Sequence, residues 1–493
     1  MSYKHGIYIY EEPTSLVPPV TTDAAMPVAF VTAPIHLSKD PYSITNEPKL
    51  CYSYAEAVEH FGFHLKKSIW NHYTAPQVIY SQFALYAVAP IVIINVLDPK
   101  IHIEKRENQK LKLQDGVGVI EVDGILIDSI KINKVSDANE EYKEGEHYSL
   151  SYDSDGFVVV SVLFGITNEE ELNLSYNELA PDKVDIYDII GGYNTESGKY
   201  TGLELMNEIY PRFRLVPGQL IAPKFSSDPS VAAVMETKAG NINGHFRCIA
   251  INDIPTKTKT ENGNIKKLLY TDVPAWANKN NLVYTRQINC YPKLILGEQE
   301  FYYSTQLAGH ICRTDAENGG VPYTSPSNKN LKINGICFEG GEELILNVEQ
   351  ANYLNGQGVM TVNNFGKGWT AWGNRTGTYP ANADVKDSFI PVRRMFDWIG
   401  NTIILTYWGK IDLPMTKRHI DTIVDSINMW FNGLAAREYI LGGRIEFLPD
   451  DNITTNLLDG IVKFRIKVAP PPPMRQMDFI LEYDPSYLTT LFD

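Results

Sequence analysis

The sequence predicts an α/β (α+β) multidomain protein: an open sheet body flanked by helices, an inserted all-β domain, and extended strand arms at the N- and C-terminal ends. Three observations predict it. Pro27 to Ala33 reads as a strand, Tyr54 to Phe61 and Gln77 to Ala87 as helices, and Ile91 to Val96 as a β-branched run of the kind buried on both faces of a sheet. From about Ile101 the texture changes to short alternating runs separated by Asp-Gly and Glu-Gly turn signals. Finally, each chain end carries a strand-like run next to a proline-punctuated tether.

Length and composition bound the reading. A chain of 493 residues with 44% hydrophobic and 21% charged content has room for two to four folded domains and argues against global disorder. The first residues lack a basic and apolar signal pattern, which argues against export. The longest apolar run, Phe83 to Ile94, is broken by Pro90 and too short to span a bilayer, so no membrane insertion is expected. Five scattered cysteines, Cys51, Cys248, Cys290, Cys312 and Cys337, read as reduced thiols. A net charge of −15 without a basic cluster argues against direct nucleic-acid binding. Residues 101 to 190 hold 8 Lys or Arg against 20 Asp or Glu, so most of that charge lies in one solvated module.

At the N-terminus, Gly6, Ile7, Tyr8, Ile9 and Tyr10 form a β-prone run before Glu11, Glu12, Pro13 and further prolines at 18, 19 and 27. After the first half of the body, Val117 to Val122, Ile125 to Ile132, Tyr148 to Tyr152 and Phe157 to Leu163 are expected strands of a small antiparallel sandwich or roll, with turns at Asp115, Asp123, Glu144 and Asp155. The body resumes near Asp185. Thr201 to Ile209, Ser230 to Ala239, Ile265 to Trp276 and Tyr303 to Thr314 are expected helices, while Leu220 to Pro223 and Phe246 to Asn252 are extended. Val359 to Asn364 and Lys367 to Gly373 are expected strands, and Pro391 to Trp408 a long helix.

Pro414 to Leu434 places Ile420, Ile423, Val424, Ile427, Trp430, Phe431 and Leu434 on one helical stripe, with Asp412 and Pro414 as its start signal. Its first turns expose Lys417, Arg418 and His419. Two strands follow, one at Arg444, Ile445, Glu446 and Phe447, the other from Ile461 and Val462 through Phe464 and Ile466 to Val468. Then come Pro470 to Pro473, a stiff extended spacer of about 3 Å per residue. Beyond it Phe479, Leu481 and Tyr483 alternate with Asp478, Ile480 and Glu482. A lone strand is unstable in water and must add to an edge. The spacer makes the chain's own edge awkward to reach, which favours an edge on another copy, namely the pair at 444–468. The domain division is therefore 1–26 as arm and linker, 27–100 with 185–385 as the body, 101–184 as an acidic β insertion, 386–469 as a C-terminal domain, and 470–493 as the second arm.

Chemistry is weakly signalled. His245 with Cys248 and His310 with Cys312 have spacings a metal could tolerate, but nothing joins the pairs, and no metal or cofactor is expected. The glycines at 356, 358, 366, 368 and 373 form neither a dinucleotide fingerprint nor a phosphate loop. Nucleophile-elbow and zincin motifs are missing, so no catalytic residue is assigned.

The opening Gly6 to Glu12 with its proline-containing linker is one of a series of motifs. It continues with Gly309 and His310, the Arg313–Thr314–Asp315 run, Asn355 to Val362, Trp372 to Thr376, Val392–Arg393–Arg394, and Ala469–Pro470 before Phe479 to Glu482. In this order the series resembles the contractile tail sheath proteins of bacteriophages and phage-tail-like particles. The resemblance implies a non-enzymatic subunit of a helical homopolymer around a tail tube, assembled in the bacterial host cytoplasm and housed in a virion tail or tail-like particle. Its implied partners are copies of itself, the tube protein, and baseplate and tail terminator proteins. Also implied are arms that complete neighbours' sheets, a C-terminal domain facing the tube, for which Lys417, Arg418 and His419 are the candidate contact, and an insertion facing outward. An α/β enzyme with a β insertion, and a tube or baseplate component, are the competing readings.

Overall fold

A computed structural model describes residues 24–133, 141–166, 171–195, 198–259 and 263–491. The N-terminal run Gly6, Ile7, Tyr8, Ile9 and Tyr10 lies outside the described residues. Its body is organised by Pro27–Val31 (β1), Lys49–Cys51 (β2) and Ile91–Asn95 (β3), in which every residue of β1 and β3 is buried. That is why their sequences run apolar without alternation. Between β1 and β3 lies the helix Tyr54–Phe61 (α1), whose Ser53 side chain accepts from the Glu56 amide at 3.2 Å.

Ile103–Lys112 (β4), Val117–Ile120 (β5), Lys131–Asn133 (β6), Tyr148–Tyr152 (β7), Val158–Val162 (β8) and Glu171–Leu179 (β9) form two antiparallel three-stranded sheets, β4-β9-β6 and β5-β8-β7. They enclose a core that includes Ile132, Tyr148, Val158, Val160, Leu172 and Leu174. Gly116, Gly124, Gly145 and Gly156, the second residues of the four turn signals, all have positive φ, between 77° and 85°. Ile125 to Ile132, expected as one strand, is instead a 3-10 turn at Ile127–Ser129 followed by the short β6. The Ser129 hydroxyl explains the break: it donates to the Leu126 carbonyl at 2.6 Å and accepts from the Asn177 amide at 2.9 Å, diverting the backbone from a ladder. Strand β4 escaped sequence reading because its residues, IEKRENQKLK, are mostly exposed and polar, whereas β9 went unread although Leu172, Leu174 and Tyr176 alternate into the core.

The body sheet continues with Gln219–Ile221 (β10), Ile249–Asp253 (β11), Gln287–Cys290 (β12), Val359–Asn364 (β13) and Trp369–Trp372 (β14) in the order β2-β3-β1-β10-β11-β12-β13-β14. The six inner strands are parallel, and β2 and β14 close the edges antiparallel. Pro229–Gly240 (α2) and Tyr303–Glu317 (α3) pack on this sheet.

Two expected body helices change. Ile265–Lys267 is a strand paired with Lys257–Lys259, and the helix begins only at Val273, where Pro274 occupies a first-turn position. The stretch from Gln77 is helical only to Ile79, then widens into a π turn over Tyr80–Leu85. That turn delivers Tyr86 against α3, where a Cβ on Gly309 would lie 2.8 Å from the Tyr86 ring.

Ile390–Tyr407 (α4) and Lys417–Ala436 (α5) form an antiparallel pair that precedes the hairpin Gly442–Glu446 (β15) and Arg465–Ala469 (β16). Helix α5 starts at Lys417, three residues after Pro414. Thr416 is its cap, with Oγ1 accepting from the His419 amide at 3.3 Å, rather than Asp412, which turns the chain with a φ of +64°.

Candidate strand-acceptor site

The hairpin is held by α5. Met395, Trp398 and Ile399 of α4 meet Ile427, Phe431 and Leu434 of α5, and Ile445 of β15 completes the same core. Gly443 is needed for this approach, since a Cβ there would lie 3.1 Å from the Phe431 ring. Residues pair antiparallel from Gly442↔Ala469 to Glu446↔Arg465. One face of the pair thus carries Ile445, Ile466 and Val468, and the other carries Arg444, Glu446, Arg465 and Lys467. On the polar face Arg444 and Lys467 both bond Glu446, at 2.7 and 3.1 Å, and these bonds, Arg444's first, hold its carboxyl below its ordinary value.

The acceptor residues named from sequence divide. Arg444, Ile445, Glu446 and Ile466 are in the hairpin strands, Phe447 lies one residue past β15, and Ile461, Val462 and Phe464 precede β16. The ladder ends early because the Asn452 amide wedges into the hairpin mouth. It accepts from the Lys463 amide at 2.8 Å and donates to the carbonyls of Lys463 and Leu448 at 2.9 Å each.

The C-terminal arm leaves this hairpin directly. Pro470 is buried, and residues 474–488 are exposed. Phe479, Ile480, Leu481 and Tyr483 are 83%, 85%, 95% and 78% exposed, Glu482 is exposed, and none of residues 470–484 belongs to a strand. Four neighbouring apolar side chains are thus left in water.

At the other end of α5, Lys417, Arg418 and His419 are exposed, and the His419 ring meets the Pro414 carbonyl at 2.9 Å. Three basic residues in the first turn oppose the helix dipole, so the helix itself gains nothing from them. Trp408, Ile411, Leu413 and Met415, between 42% and 67% exposed, lie in the connecting turn beside them. At 1.5 Å per residue this basic and apolar tip stands roughly 15 Å along the helix from the hairpin.

Two motifs far apart in sequence meet in space. Arg394 of α4 makes a two-pronged pair with Asp315 of α3, at 3.1 and 2.5 Å, and also donates to the Ala24 carbonyl at 3.1 Å. Both side chains are buried, 4% and 1% exposed. The Arg394 bond to Ala24 ties the start of the described chain to this buried pair. Arg393 and Arg286 share Asp397 in the same way, at 2.9 and 3.0 Å, joining α4 to the strand β12 side of the body. Arg375 is stacked between Tyr379 and Phe389, with its guanidinium 4.2 and 3.6 Å from the ring centroids.

The residues weighed for metal binding are packed elsewhere. His310 Nε2 donates to the Pro326 carbonyl at 2.9 Å, and burial lowers its pKa to about 4. His245 lies edge-on to Trp408 with centroids 4.8 Å apart. All five cysteines are buried thiols outside any disulfide, and among the described residues no three His, Cys, Asp or Glu side chains could hold a metal.

At the carboxyl end of β11, where an α/β enzyme would place its chemistry, Asp253 caps α3. Its carboxylate accepts from the Ser304 amide at 2.8 Å and hydroxyl at 2.5 Å, and burial raises its pKa to about 6. Among the described residues no helix is long and apolar enough to cross a membrane.

No family model matches the chain. It is 26% identical over 500 residues to the tail sheath protein of Burkholderia phage BcepMu, covering 99% of this chain and 98% of that one. It is 27% identical over 318 residues to a putative prophage major tail sheath protein of Pseudomonas aeruginosa strain UCBPP-PA14, covering 62% of this chain and 74% of that one. Its fold is similar to that of the sheath complex of an extracellular contractile injection system in the contracted state, with a TM-score of 0.55, 13% identity and 99% of each chain covered. It is also similar to a chain of the anti-feeding prophage baseplate, with a TM-score of 0.56, 14% identity, and 98% of this chain and 100% of that one covered. The resemblance to contractile tail sheath proteins drawn from the motifs therefore holds along the whole chain. Sequence and fold together make it a sheath-type structural protein.

Proposed function

We propose that this chain polymerises around a tail tube, in a virion tail or a phage-tail-like particle assembled in the host cytoplasm, and contracts to drive the tube through the target envelope. Residues 27–100 with 185–385 are the body, 101–184 an outward-facing insertion, 386–469 the tube-facing domain, and 1–26 and 470–493 the arms. Gly6 to Tyr10 and Phe479 to Tyr483 add strands to the hairpin Gly442–Glu446 and Arg465–Ala469 of neighbouring copies. Lys417, Arg418 and His419, with the apolar turn beside them, meet the tube protein. Baseplate and terminator proteins cap the polymer. No nucleotide, metal or cofactor enters, because a better-packed contracted lattice supplies the energy and the tethered domains move as rigid bodies.

The observation that carries this reading is a two-stranded hairpin joined through a polyproline spacer to an exposed apolar arm. Removal of residues 474–493, or of 1–12, leaves a folded monomer and abolishes the hollow cylinders seen by negative-stain microscopy. Full-length cylinders from either truncated protein refute exchange through that arm.

A further inference from the structure

The two edges of the acceptor hairpin are not equivalent. Ile445 and Ile466 lie opposite one another, and the main-chain groups of Ile445 are bonded outside the pair: its amide donates to Asn428 Oδ1 at 2.9 Å, and its carbonyl accepts from Asn428 Nδ2 at 3.3 Å. Ladder alternation then turns Gly443 and Ile445 of β15, and Ile466 and Val468 of β16, toward the two outer edges. The Asn428 amide makes both hydrogen bonds that a residue of a neighbouring strand would make, so the β15 edge is occupied by a side chain of its own helix α5. Among the described residues no side-chain amide is bonded to the main chain of Ile466 or Val468, and Ile466 is 36% exposed.

From this asymmetry we infer that Asn428 is an edge-selecting residue for the C-terminal arm: by bonding the Ile445 main chain it keeps that arm off the β15 edge, so the C-terminal arm of a second copy takes the β16 edge. The inference rests on the arm-exchange reading above and names which edge and which arm. Side-chain chemistry agrees with it. The outward polar face of β16 presents Arg465 and Lys467, and the matching face of the arm presents Asp478 and Glu482. On the other face Phe479, Leu481 and Tyr483 of the arm continue the apolar row of Ile466 and Val468. The same arm laid on β15 would set its carboxylates beside Glu446 as well as Arg444, and would have to expel Asn428. The chain's own arm is poorly placed for its own β16, because four prolines immediately after Ala469 extend the chain instead of turning it back.

Disulfide trapping in polymers of the full chain tests this, since the five native thiols are buried. Cysteine is placed on the arm at Asp478, Ile480 or Glu482 in turn, and on the hairpin at Lys467 (β16) or Arg444 (β15). Intermolecular dimers are expected at Lys467→Cys, at about thirtyfold the yield at Arg444→Cys, the ratio given by two hydrogen bonds of net worth about 1 kcal/mol each. Asn428→Ala, or Asn428→Asp, which keeps the volume but loses the donor, should raise the yield at Arg444→Cys. Equal yields with Asn428 in place, or no response to either Asn428 variant, overturn the inference. A link to Lys467→Cys within one chain overturns the second copy as occupant. Polymers that link at neither edge refute arm exchange itself.

Discussion

Arg394 offers the sharpest test of how helix α4 is joined to the body. Its guanidinium sits against Asp315 with both side chains buried and adds a third bond to the Ala24 carbonyl. Arg394→Met keeps most of the apolar stem but strands the Asp315 carboxylate, and breaking a buried pair from one side costs about 3–5 kcal/mol. The lost bond to Ala24 adds about 1 kcal/mol. Replacing both partners, Arg394→Met with Asp315→Leu, removes the stranded charge, so the double variant should recover most of that loss. Urea denaturation of the monomer, followed through tryptophan fluorescence, reads both, with Trp398 one turn further along the same helix as a local reporter. A single-variant loss below about 1 kcal/mol would refute the buried-pair argument, as would a double variant no more stable than the sum of its parts.

Further predictions follow from the buried groups and the exposed tip. Burial lowers His36 to about 3 and His310 to about 4, so both stay neutral in the fold while the unfolded chain takes up their protons below about 6.5. Their stability is present above that value and lost as pH falls. Asp253, raised to about 6, acts oppositely: its contribution is complete below about 4 and lost as pH rises to about 6. Two histidines against one aspartate leave a net loss of about 1 kcal/mol per pH unit on acidification from 6 to 4, and Asp253→Asn should steepen it. A urea midpoint unchanged between pH 6 and pH 4.5 would contradict this balance. Gly309→Ala pushes a methyl to 2.8 Å from the Tyr86 ring and should cost about 1–3 kcal/mol by the same urea assay. Lys417→Glu with Arg418→Glu should weaken salt-sensitive co-sedimentation with tubes while raising the melting temperature, because acidic residues suit a helix N-terminus. A fall in melting temperature would mean these side chains serve the helix instead.

What the sequence alone determined about this protein is local. A short apolar run marked β1 as a strand, a run of β-branched residues marked β3 as a buried strand, and helical spacing marked α1. Four Asp-Gly or Glu-Gly pairs marked turns whose glycines all take positive φ, and four prolines marked the spacer. Each of these follows from steric or hydrogen-bonding preferences within a few residues. Tertiary structure decided the rest. Ile265–Lys267 became a strand because Lys257–Lys259 pairs with it, and the polar strand β4 exists because β9 lies beside it. Arg394 finds Asp315 across 79 residues, and Asn428 reaches Ile445 across 17. Periodicity carries no information about such partners, since a helix face specifies which residues turn inward but not what meets them. Only the packed chain brings an amide to a strand edge or a guanidinium to a buried carboxylate, because the energy of those bonds depends on burial that the whole fold creates.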